Sequence, residues 1–274
     1  MSSFTSIAPN KLARLIGTPR CPALVDVRID EDFALDPRLI PGSVRRPFDQ
    51  VGDWAAHYRG TPVIVICHRG KKLSEGGAAW LRSDGIAAEV LEGGFEAWAQ
   101  ATSPATPVAV IPPRDAQART VWVTRSRPKI DRLACPWLIR RFVDPQAAFL
   151  FVAPAAVESV AEKFNAAAFD IEGTFWSHRG DLCTFDVMIQ EFMLETPALA
   201  RLATIVRGAD TARLDLAPES AGLLAVSLGL SRMYADDLEQ LNAALGVYDA
   251  FYRWSRDAVE ESHDWPLHRA GAPR

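Results

Sequence analysis

Short apolar runs punctuated by turn residues dominate the first hundred positions. ALVDV (Ala23 to Val27) and VIVI (Val63 to Ile66) are unbroken and rich in β-branched residues, the pattern of strands buried on both faces. AEVL (Ala88 to Leu91) reads as a third strand. Between the last two lies SEGGAAWLRSDG, which predicts a helix with Ser74 as its N-cap and Gly85 as its stop. Strand, helix and strand in that order imply a right-handed crossover and a parallel sheet. The periodicity then lapses. Thr102 to Ala118 carries four prolines and reads as an extended connector.

Beyond it the pattern changes character. VWVT (Val121 to Thr124) is a strand signal, and CPWLIRRFVD predicts a helix with Pro136 in its first turn, where a missing N–H costs little. FLFV (Phe149 to Val152) and FDI (Phe169 to Ile171) read as strands. From Thr184 onward helical spacing takes over, ending in a long helix with Leu238, Leu241, Leu245, Tyr248 and Tyr252 on one face. An irregular tail is expected after Glu260. The expected organisation is an α/β domain with a central parallel sheet over 1–103 and a proline-rich linker over 104–118. A mostly helical α+β domain follows over 119–274.

Composition narrows the class without naming a reaction. Hydrophobic residues at 49% and charged residues at 23% exclude a disordered chain. A net charge of −4 argues against a broad grip on nucleic acid. The N-terminus MSSFTSIAPNKLARLIG shows no secretory pattern, and no apolar run is long enough to span a bilayer. Cys21, Cys67, Cys135 and Cys183 lie far apart with no CxxC pair, which fits thiol chemistry in a reducing compartment better than a disulfide framework. A cytoplasmic protein is expected.

One cysteine stands in a special place. Cys67 ends an apolar strand and opens CHRGKKLS, which runs into the predicted helix. A tight loop ahead of a helix N-terminus aims several backbone N–H groups at one point, and such a nest stabilises a thiolate and holds an anion above it. Arg69, Lys71 and Lys72 add charge, and Gly70 frees the backbone to curl. A thiolate here could take the outer sulfur of an anionic donor and pass it to a thiol acceptor, with no cofactor required.

The second half holds two further clusters. Arg125, Arg127, Lys129, Arg132, Arg140 and Arg141 could grip a tetrahedral oxyanion such as sulfate or chromate, or form a solvated face paired in part by Asp131 and Asp144. In SHRGDLCTFDVMIQE, His178, Asp181, Cys183, Asp186 and Glu191 offer nitrogen, oxygen and sulfur donors that could hold a transition metal ion. They could equally be a hydrogen-bonded histidine, a core cysteine and helix-capping acids.

The first hundred residues resemble the single-domain rhodanese family of sulfurtransferases. LVDVR (Leu24 to Arg28), IPGSV (Ile40 to Val44), CHRGKKLSEGGAAWL and LEGGFEAW (Leu91 to Trp98) follow the family's four motifs in order. The resemblance implies a rhodanese-like α/β fold, Cys67 as nucleophile, and His68, Arg69, Gly70, Lys71, Lys72 and Leu73 as the active-site loop. Asp26 and Arg28 become structural support. Departures are Lys72 at the sixth loop position, Leu73 before Ser74, and Leu39 where the family has histidine. From about Val121 to Asp257 the chain is similar to the C-terminal domain of chromate-resistance (ChrB-type) proteins. DRLACPWLIRRFVD, FDIEGTFWSHRGDLCTFDVMI, LATIVRGAD and YDAFYRW carry the likeness. That implies a setting in chromate resistance. The family's N-terminal part is not a rhodanese, so its DNA-binding role does not transfer.

Overall fold

The computed structural model describes residues 5–101 and 103–261. In the first half the apolar runs lie side by side. Strands β1 (Ser6–Ile7), β2 (Ala23–Asp26), β4 (Ser43–Arg45), β5 (Val63–Ile66) and β6 (Ala88–Leu91) form one parallel sheet in the order β1-β6-β5-β2-β4. All four residues of β5 are buried, as its unbroken apolar character requires. Helices α1 (Pro9–Leu15), α2 (Asp30–Leu35), α3 (Val51–Trp54), α4 (Lys72–Ser83) and α5 (Gly94–Gln100) fill the crossovers. The chain leaves β2 towards β4 and leaves β5 towards β6, so adjacent β2 and β5 send their connections in opposite directions. The carboxyl ends of two such strands frame a crevice, and Cys67 follows β5 there.

The predicted start of α4 needs correction. The helix begins at Lys72, so Ser74 lies inside its first turn, where its hydroxyl donates to Lys71 O at 3.0 Å. The proline-rich connector, expected to be extended, contains a 3-10 turn at Val108–Val110 and is tied down. Strand β7 (Thr106–Pro107) pairs antiparallel with β3 (Arg38–Leu39), and Trp98 Nε1 donates to Pro104 O at 2.9 Å.

In the second half β8 (Val121–Arg125) lies between β9 (Ala148–Val152) and β10 (Ala167–Ala168), all parallel. Helix α6 (Asp131–Phe142) makes the first crossover and α7 (Val157–Phe164) the second. The expected strand at Phe169 to Ile171 is displaced to β10, with Phe169 forming an isolated bridge to Trp176. Pro136 sits in the middle of α6 and not in its first turn; the helix begins four residues earlier than predicted, at Asp131. Helices α8 (Thr184–Glu191), α9 (Pro197–Asp210), α10 (Glu219–Met233) and α11 (Asp237–Asp257) pack against this layer. Leu241, Tyr248 and Tyr252 of the predicted α11 stripe are buried, whereas Leu238 is exposed at the helix start. The tail expected after Glu260 lies, from residue 262, outside the described residues.

The two halves share one apolar core. Ile7, Leu12, Ile16 and Trp98 belong to the same buried cluster as Phe142, Leu199 and Tyr252. At the seam Gly17, at φ +78°, passes so close to Phe142 and Tyr252 that a Cβ there would lie 2.3 Å from the Phe142 ring. Among the described residues no helix is long and apolar enough to cross a membrane.

Candidate functional site

The Cys67 loop is built mainly by backbone. As β5 ends, the chain turns through His68, Arg69, Gly70 and Lys71 before α4 begins at Lys72, so Leu73 also belongs to the helix. The amide of Lys71 donates to Cys67 Sγ at 3.3 Å, and Ser74 Oγ lies 3.1 Å from the same sulfur. The serine has one hydroxyl proton. It can go to Lys71 O while the thiol donates to the serine oxygen, or turn to a thiolate sulfur. The sulfur therefore faces the loop and helix start, although Cys67 is only 4% exposed and also borders the apolar cluster of Val65 and Ala78.

A glycine turn clamps the loop from below. Phe95 N donates to Cys67 O at 2.9 Å and Glu96 N to His68 O at 3.0 Å. Gly70 (φ +64°) and Gly94 (φ +62°) approach each other so closely that a Cβ on Gly94 would lie 2.3 Å from Cys67 O and 2.4 Å from Gly70 N. Both are positions that only glycine fills without backbone movement. This explains why the motif LEGGFEAW, which begins 24 residues after Cys67, belongs to the same site. The basic groups stand at the rim. Lys71 and Lys72 are exposed, and Arg69 is exposed with Nε 3.5 Å from Glu96.

Beside the loop, Arg28 and Asp26 form a wholly buried pair at 2.6 Å. Arg28 Nη1 and Nη2 also donate to Asp36 O and Arg38 O, and its guanidinium lies 3.8 Å from the centre of the Phe95 ring. The pair anchors the β2 end to the residues around β3 and to the glycine turn.

The second domain concentrates its charge elsewhere. His178 Nε2 lies 3.4 Å from Asp131 Oδ2, 3.5 Å from Asp170 Oδ1 and 3.2 Å from Asp210 Oδ2. Asp131 opens α6, Asp170 follows β10, Asp210 closes α9, and His178 lies on the loop before α8. Asp131 and Asp170 thus sit at the carboxyl ends of the second parallel sheet, as Cys67 does in the first. Burial pushes the Asp131 carboxyl up to about 6, while hydrogen bonds to Asp131, Asp170 and Asp210 raise His178 to about 12. The segment entering α6 is strained. Ile130, β-branched, has φ +39°, a conformation held by Ser227 Oγ on its N–H and Tyr248 OH on its carbonyl.

The predicted metal set is brought together only in part. His178 joins the cage, but Cys183 does not. Its thiol donates to Asp186 Oδ2 at 3.2 Å, and burial with the nearby Asp131 and Asp186 pushes its pKa well above the ordinary range. Asp186 is held by Arg207 at 2.6 Å and caps α8 through the Cys183 amide; Asp181 is exposed, and Glu191 pairs with Arg179. The missed partners, Asp131, Asp170 and Asp210, each lie within a stretch that carried the resemblance, but 79 positions separate the first from the last. No local spacing could have joined them.

The six basic residues are likewise divided. Arg125 and Arg132 converge on Asp170 Oδ2 at 3.1 and 3.2 Å. Arg127 Nη2 donates to Ser231 O, and Lys129 is exposed. Arg141 makes a two-pronged pair with Asp249, and Arg140 donates to Asn242 and lies over Phe149. The partners of these guanidiniums are Asp170, Asp249, Asn242 and backbone carbonyls, whereas Asp144, expected to pair with this cluster, pairs with Arg114.

A cysteine loop at the switch point of a parallel sheet, clamped by a Gly-Gly turn, belongs to a rhodanese-like α/β fold. Residues 8–101 match the family model of the rhodanese-like domain. Residues 122–255 match that of ChrB, C-terminal domain. The two matches fall on one polypeptide without overlapping. Protein ChrB of Cupriavidus metallidurans is 37% identical over 133 residues, covering 48% of this chain and 39% of that protein. The chain thus spans less than half the length of that relative. A rhodanese-like domain protein from Staphylococcus aureus is 28% identical over 35% of this chain and 91% of its own, with a TM-score of 0.32. A thiosulfate sulfurtransferase from Pseudomonas aeruginosa is 25% identical over 37% of this chain and 19% of its own, with a TM-score of 0.31. At such TM-scores these two likenesses carry no argument.

Proposed function

We propose that the protein is a cytoplasmic sulfurtransferase that carries sulfane sulfur on Cys67. The Cys67 thiolate attacks the outer sulfur of thiosulfate; the S–S bond breaks, sulfite leaves with its electron pair, and Cys67 is left as a persulfide. An acceptor thiolate then attacks the outer sulfur, leaves as a persulfide and returns Cys67 to a thiolate. The observation that carries this reading is the Lys71 amide directed at Sγ with Ser74 Oγ beside it. The rim cations Arg69, Lys71 and Lys72 suit an anionic donor. Thiosulfate:cyanide sulfur transfer by wild type should exceed that of Cys67→Ser by on the order of 1000-fold. Equal rates end the proposal.

A second reading is a sensor of chromate or oxidant with little turnover, and the near-complete burial of Cys67 favours it. On its resemblance to chromate-resistance proteins, the second domain would supply the setting and bind chromate. A protein that loads sulfur once but fails to turn over, and that gives heat on titration with chromate but none with sulfate, supports this reading over the first.

A further inference from the structure

We propose that Asp131, Asp170 and His178, with Asp210 beside them, form a binding site for a divalent transition-metal ion. A single Nε2–H points in one direction, yet three carboxylate oxygens from three different elements surround Nε2 at 3.2, 3.4 and 3.5 Å. One proton cannot serve three acceptors well, since charge-assisted bonds run at about 2.7–2.9 Å. The spacing instead suits donors arranged around a common centre.

A second observation is independent of that clustering. Asp131 is wholly buried, and its Oδ1 has no hydrogen-bond partner among the described residues. An orphaned carboxylate oxygen in the interior is costly, and an ion would satisfy it. The same carboxylate faces the cage, with Oδ2 towards His178 and fixed by the Thr184 amide at 2.6 Å. Donor atoms of Asp131, Asp170 and His178 all lie within 4.8 Å of one another; Asp210 stands outside that group and adds its 3.2 Å approach to His178.

The surrounding residues act as outer support. Arg125 and Arg132 take Asp170 Oδ2, leaving Oδ1, which accepts from Thr184 Oγ1, on the side of His178. Such outer partners orient a ligating carboxylate. Three carboxylates exceed the two guanidiniums by one negative charge, which the imidazolium balances; a metal ion would displace the Nε2 proton and take over that charge. Oxygen donors with one imidazole suit zinc or manganese(II) more than a soft ion. The donor atoms that converge belong to two carboxylates and one imidazole, so the donor set is oxygen and nitrogen.

The test uses the full chain, freed of metal with chelator and then equilibrated separately with zinc and manganese(II) ions. Metal retained after gel filtration is counted by mass spectrometry. Wild type should hold one ion of at least one of the two metals per chain above the His178→Ala variant, and that metal should raise its melting temperature. His178→Ala and Asp210→Asn should weaken binding by on the order of 100-fold and abolish the shift. Both changes fall on partly exposed side chains, so folding should survive, as circular dichroism will show. If wild type and His178→Ala retain equal metal, or wild type retains none, the cage is a carboxylate–imidazolium cluster and the proposal fails.

Discussion

The two charged centres of this molecule occupy equivalent places and are made in opposite ways. Each lies at the carboxyl edge of a parallel sheet, where successive connections diverge. The Cys67 loop is assembled from main chain, with an amide on the sulfur, carbonyls clamped by the Phe95 and Glu96 amides, and two glycines pressed together. The His178 cage is assembled from four side chains on four separate elements. A backbone-built site tolerates exchange of its rim side chains but no added Cβ beneath it. A side-chain-built site should show the reverse.

The largest expected effect is on chemistry. Cys67→Ser removes the atom that carries sulfur, while Cys21, already pushed up to about 12 by burial, offers no substitute thiolate. Next is Arg28→Met, which strands Asp26 as an unpaired buried carboxylate. Urea denaturation should show a loss of about 3–5 kcal/mol. Gly94→Ala comes third, because its Cβ meets backbone atoms of Cys67 and Gly70. A loss of about 2–4 kcal/mol is expected, together with reduced sulfur transfer. Its counterpart near the cage, Gly180→Ala, has φ +59° but open space around it, so only about 1–2 kcal/mol should be lost, with sulfur transfer unchanged. Equal costs for the two glycines would break the comparison. The smallest effect belongs to Ser74→Ala, which removes one hydrogen-bonding neighbour of the sulfur and should slow transfer by about 10-fold or less.

The same contrast explains what could be read from the sequence. Everything that makes the Cys67 loop is contiguous or lies in one following motif, so the apolar run VIVI, the loop CHRGKKLS and the pair Gly93–Gly94 marked it. The departures arose where tertiary bonding overrides local preference. Ser74 looks like an N-cap, but its hydroxyl is drawn to Lys71 O and Cys67 Sγ within the first turn. Pro136 suggested a helix start, yet α6 begins at Asp131, whose preceding Ile130 is held at positive φ by contacts from α10 and α11. The cage was legible only at His178. Its acids come from the start of α6, the end of β10 and the end of α9, and only folding brings them together.

The central claim is that Cys67 carries sulfur. The most direct measurement is peptide mass spectrometry of the full chain after incubation with thiosulfate and removal of excess donor. The account predicts one added sulfur on the peptide containing Cys67, discharged by cyanide, with Cys135 and Cys183 unmodified because they are buried neutral thiols. An unmodified Cys67, or sulfur distributed evenly over the four cysteines, would contradict it.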